Sequence, residues 1–112
     1  PKRVPSKLAK CFTEVCHYKE IKDCGTTVIM SHFPMLFHKH DYRPNTVMLY
    51  GHVHKTKENQ LVQECLTLIR EKDENFWDKT PKNLTQMYNV GCMMPWMNYT
   101  PRTLSEILSK AK

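Results

Sequence analysis

Two short apolar runs that each end in a histidine constrain this chain more than any other feature. Thr26-Thr27-Val28-Ile29-Met30 leads into Ser31-His32, and Thr46-Val47-Met48-Leu49-Tyr50 leads into Gly51-His52-Val53-His54. Short β-branched and apolar runs bounded by turn signals read as strands, and continuous apolarity implies burial on both faces. Upstream, residues 13–21 alternate loosely through Val15, Tyr18 and Ile21, and Lys22-Asp23-Cys24-Gly25 supplies turn chemistry, which together predict a hairpin. Pro34 stops the second strand of that hairpin, and the aperiodic stretch after it, holding His38, His40, Asp41 and Arg43, reads as a loop.

Beyond Gly51-His52-Val53-His54 the period changes. Leu61, Val62, Cys65, Leu66, Leu68 and Ile69 recur at helical spacing, Thr56 is placed to cap, and Gln60, Gln63, Glu64, Thr67 and Arg70 fall on the expected water face, so a helix is predicted over about residues 57–72. Residues 73–85 are polar, include Pro81, and read as a loop from which Phe76 and Trp77 pack back on the core. A third strand over 86–90 ends at Gly91, and Thr103 caps a last helix over 104–110 with Ser105 and Glu106 in its first turn. Residues 1–10 read as a connector. With 112 residues there is room for one core, of mixed α/β class.

Composition narrows the function classes. The excess of 17 Lys and Arg over 11 Asp and Glu suits an anionic ligand, but the basic residues are scattered, which argues against a dedicated nucleic-acid stripe. Cys11, Cys16, Cys24, Cys65 and Cys92 form an odd set without a Cys-x-x-Cys pair, which fits a reducing, cytoplasmic setting better than a disulfide framework or a thiolate zinc site. No apolar stretch reaches the roughly 20 residues that span a bilayer, so no membrane role is expected.

The chemistry concentrates on His32, His52 and His54. If the segment after the second run stays extended, residues two apart project to one side, and His52 and His54 address neighbouring points near His32. Neutral imidazoles suit zinc, manganese, iron or nickel, and open α/β sites lie at the carboxyl ends of strands. Gly51 would let backbone approach a metal closely.

Ser31-His32-Phe33-Pro34 followed by Leu49-Tyr50-Gly51-His52-Val53-His54 resembles the last two metal motifs of calcineurin-like metallophosphoesterases. Tyr88-Asn89-Val90-Gly91-Cys92 and the stretch from Asn98 to Leu104 resemble the closing strand and tail of small bacterial and phage members. The resemblance implies the C-terminal half of a two-layer β-sandwich flanked by helices. It implies His32 and His52 as ligands of the second metal, His54 as a ligand of the first, and Gly51 as the turn glycine. It further implies a pair of divalent ions, hydrolysing a phosphate ester by in-line attack of water without a covalent enzyme intermediate. A nucleic acid is among the substrates such chemistry admits.

The N-terminal motifs of that family, Asp-x-His, Gly-Asp and Gly-Asn-His, are absent, and Asp23, Asp41, Asp73 and Asp78 stand in other contexts. Without a bridging carboxylate two cations repel uncompensated, so the chain alone is expected to be inactive and to need an N-terminal half of the same fold. Its opening on Pro1 agrees with a partial domain spanning 1–112. Half a sandwich would also leave Val28, Ile29, Met48 and Leu49 uncovered, inviting a partner or a homo-oligomer.

The loop residues His38, His40 and Arg43 are candidates to line the substrate side, with a solvated basic loop as the plain alternative. His17 is assigned no role. Met93, Met94, Trp96 and Met97 are expected in core or subunit packing, and Cys92 is expected to be buried. Two other classes stay open: a noncatalytic module holding one zinc on the three histidines, and a basic nucleic-acid binder.

Overall fold

The computed structural model describes residues 6–72 and 85–110. The reading of 73–84 as a loop, with Phe76 and Trp77 returning to the core, falls outside them. After a single turn of helix, α1 (Ser6–Ala9), come strands β1 (Tyr18–Asp23), β2 (Thr26–Ser31) and β3 (Thr46–Tyr50), helix α2 (Lys57–Glu71), strand β4 (Met87–Asn89) and helix α3 (Leu104–Lys110). The strands form one sheet in the order β1-β2-β3-β4.

The expected hairpin forms where the turn chemistry places it. Cys24 and Gly25 are the whole loop, with φ of 51° and 81°, the pair of positive values that a type I′ turn requires to match strand twist. That loop sets the antiparallel register, Asp23 opposite Thr26 and Tyr18 opposite Ser31. β2 then runs parallel to β3, with Val28 beside Val47, and β3 parallel to β4, with Leu49 beside Tyr88. Three strands therefore end at the same edge.

Period-two alternation divides the sheet's residues between two cores. Val28, Val47 and Leu49 pack with Met94, Met97 and Ile107, so α3 and the chain before it cover one face. Ile29, Met48 and Tyr50 pack with Val53, Leu66 and Met87, so α2 covers the other. This corrects the expectation of uncovered faces: Ile29 and Met48 are fully buried, and Val28 and Leu49 nearly so. The described residues show one mixed sheet with a helix on each side, the coarse α/β class, and no second sheet.

The helices follow their sequence signals with two revisions. Leu66 and Ile69 face the core, whereas Leu61 and Leu68 are exposed, because they lie seven apart on a stripe beside the buried one. Thr56 occupies the N-cap position in extended conformation, but its hydroxyl donates backward to the Val53 carbonyl and accepts nothing from the helix. Arg70 is exposed, as expected, and also donates from Nε and Nη2 to the Thr85 carbonyl at 3.0 and 2.8 Å, which ties the end of α2 to the entry of β4. α3 carries a full capping box: Glu106 N donates to Thr103 Oγ1, and Thr103 N donates to Glu106 Oε1. Met94 and Met97 are core residues, as expected. Among the described residues no helix is long and apolar enough to cross a membrane.

Candidate functional site

The parallel run β2-β3-β4 brings its carboxyl ends to the rim of one cavity of about 720 Å³. His32 follows β2, and Gly51-His52-Val53-His54 follows β3. Gly51 N donates to His32 O at 2.9 Å, which locks the two strand ends together before either imidazole is placed. The result is a close pair: His52 Nδ1 stands 3.3 Å from His32 Nε2. Phe33 completes a three-ring cluster, its centroid 4.6 Å from that of His52 and 4.9 Å from that of His32.

The turn carrying His52 and His54 is not extended. Both residues sit in the left-handed region, at φ of 64° and 49°. This overturns the argument that strand alternation aims both rings at one point. Such conformations cost a non-glycine residue roughly 1–2 kcal/mol each and persist where surroundings over-determine them. Here Val53 between them is buried, Val53 N donates to Gly51 O at 2.7 Å, and Asn89 Nδ2 donates to His54 O at 3.2 Å.

Asn89 is itself fully engaged. Its Nδ2 also reaches Asn59 Oδ1 at 3.0 Å, its Oδ1 accepts from Gly91 N at 2.9 Å, and its carbonyl accepts from Trp96 Nε1 at 2.7 Å. Tyr50 OH donates to the same Asn59 Oδ1 and accepts from Gln63 Nε2. A buried polar network thus links β3, α2 and β4 to the histidine turn. Burial pushes the Tyr50 phenol up to about 12, with the bond from Gln63 acting the other way.

Two nitrogens bound at about 2.0–2.1 Å to one tetrahedral ion stand roughly 3.3 Å apart, so the His32 and His52 nitrogens have the separation that a shared ion requires. His54 borders the same cavity but does not complete a triad: among the described residues no three His, Cys, Asp or Glu side chains converge as a metal-holding group. The donors present fit two positions of a site and leave the others to be filled.

The other sequence candidates divide. His38, His40 and Arg43 do not line the cavity; His38 is buried in the β2–β3 connection with Nδ1 2.9 Å from Met35 O, His40 adopts a φ of 57°, and the Arg43 guanidinium sits 5.6 Å from the Tyr42 ring. Gly51 lines the cavity without a positive φ, and a Cβ there would meet His32 O at 3.6 Å and His32 Nδ1 at 3.7 Å, so the glycine lies against His32. Cys92, expected to be buried, is exposed on the cavity wall, and His17 lines the wall too. Glu14, another lining residue, pairs with Lys19, whose ammonium holds the Glu14 carboxyl below the usual range. The hairpin register carried the missed signal: Tyr18 faces Ser31, so the residues before β1 arrive opposite His32.

A scan of protein-family models and searches of curated proteins and of solved structures return no match to this chain.

Proposed function

We propose that this chain is the histidine-bearing half of a metal-dependent phosphoesterase of the calcineurin-like type. The observation that carries the reading is the His32–His52 pair, 3.3 Å between nitrogens, at the carboxyl ends of two adjacent parallel strands and open to a cavity large enough for a small ester. In this reading His32 and His52 each direct one ring nitrogen at a divalent ion, zinc, manganese, iron or nickel. Phe33 packs on both rings and limits their rotation. His54, held by Asn89, serves a neighbouring ion whose carboxylate ligands come from an N-terminal half of the same fold. Bound ions supply Lewis-acid polarisation of the phosphoryl oxygens. The chain's part is to fix the imidazoles, to admit the phosphate ester to the cavity and to keep bulk water from its apolar wall.

A second reading is a noncatalytic site for a single zinc, held by the His32–His52 pair and not by the three histidines expected from sequence, since His54 does not join them. Metal content by mass spectrometry, taken on the chain alone and on the chain joined to a complementary half, separates the two when run beside hydrolysis of a nitrophenyl phosphodiester. Two ions and turnover in the joined protein support the phosphoesterase; one zinc per chain, unchanged on joining and without turnover, gives the second reading its place.

A further inference from the structure

The cavity's lining is chemically mixed, and the histidines account for only part of it. The same lining includes Phe12, Val15, Tyr18, Met30, Leu49 and Met93. Phe12, Val15 and Tyr18 are 56%, 49% and 41% exposed, although they sit beside a sheet with an ample core. Exposed aromatic and apolar side chains gathered on one concave wall mark a ligand surface more often than scattered ones do. Some of the polar groups beside them are engaged: Lys19 pairs with Glu14, and Tyr18 OH donates to Glu20 Oε2 at 3.0 Å.

We propose that this apolar lining is the subsite for the esterified group, and that it selects phosphate esters of a nonpolar aromatic alcohol. The proposal rests on the phosphoesterase reading, since it assigns the phosphate to the histidines. The aromatic ring of the ester then packs on apolar lining residues such as Phe12, Tyr18 and Met93 while the phosphate faces His32 and His52. Aromatic and thioether side chains suit such a ring because they are large and polarisable and a Met chain adapts to its outline.

The test compares phenyl phosphate, methyl phosphate and glycerol phosphate by NMR titration of the metal-loaded chain joined to a complementary N-terminal half, with His32→Ala, Phe12→Ala and Tyr18→Ser variants. Because Phe12 and Tyr18 are exposed, their replacement leaves the core intact, which thermal melting checks. The expected result is phenyl phosphate bound on the order of tenfold more tightly than the other two. Phe12→Ala and Tyr18→Ser should erase that preference without changing methyl phosphate binding, and His32→Ala should weaken all three. Equal affinities for the three esters, with His32 dependence kept, overturn the aromatic subsite and leave the phosphoesterase reading standing. Binding of any ester that ignores His32→Ala, or no binding at all, overturns that reading and the subsite with it.

Discussion

The Asn89 carboxamide donates to the carbonyl of His54 across 35 residues of sequence, 3.2 Å from Nδ2 to O, from a position that is 1% exposed. A strained residue is thereby held by a buried group whose other atoms are also engaged. Removing the side chain leaves Asn59 Oδ1 with Tyr50 OH as its remaining partner and Gly91 N with none from Asn89. Asn89→Ala is expected to cost about 2–3 kcal/mol in urea unfolding, since each buried polar group left unsatisfied costs about 1–3 kcal/mol. It should also release His54 from its left-handed conformation, seen as a shift of the His54 backbone amide by NMR.

The His32–His52 pair makes a prediction about metal that does not depend on turnover. His32→Ala and His52→Ala should each lower zinc affinity by more than about a hundredfold, beyond what loss of an outer-shell group gives. Arg43→Ala, outside the cavity, should leave it unchanged. Isothermal titration of the chain measures all three, and equal affinities across the set would remove the metal site.

Alkaline stability follows from Tyr50. Its folded-state value is raised to about 12 from about 10 in the unfolded chain, so the fold favours the protonated phenol. That contribution is complete below about pH 10 and is lost as pH rises toward about 12. The loss is about 3 kcal/mol at most, and the half-buried Tyr88, raised by its own burial, adds to it in the same direction. Chemical denaturation at stepped pH should show the fall, and Tyr50→Phe should make it shallower while lowering stability throughout through lost bonds to Asn59 and Gln63.

Strands and helices were legible where local chemistry decides them. The run from Thr46 to Tyr50 has no polar alternation and is buried at every position, and Cys24-Gly25 allows only a tight hairpin. Thr103 and Glu106 stand at capping-box spacing and form one. The site was legible only in part, because His-x-His reads the same in a strand as in a left-handed turn. The holding contact comes from Asn89, which spacing around the histidines does not reveal. Coverage of Val28, Ile29, Met48 and Leu49 was hidden for a related reason: it depends on which faces α2 and α3 reach, a property of topology. Cys92 was misplaced because its exposure on the cavity wall follows from where β4 ends.

Gly51 and Gly91 look alike in sequence, each directly after a strand run, yet they predict opposite outcomes. A Cβ at Gly51 makes ordinary contacts with His32 at 3.6 and 3.7 Å, so Gly51→Ala should stay within about 0.5 kcal/mol of the parent and keep zinc affinity. A Cβ at Gly91 would come within 2.8 Å of Met93 Sδ and 3.1 Å of Asn89 Oδ1. The Met93 side chain can turn aside, but Asn89 cannot, since its Oδ1 accepts from Gly91 N and its Nδ2 holds His54. Gly91→Ala should therefore cost about 1–3 kcal/mol, as overpacking does. It should reproduce the His54 amide shift of Asn89→Ala, and Gly91→Ala combined with Asn89→Ala should be less destabilising than the sum of the two, because both act on one contact. Additive losses in that double-mutant cycle would separate Gly91 from the histidine turn.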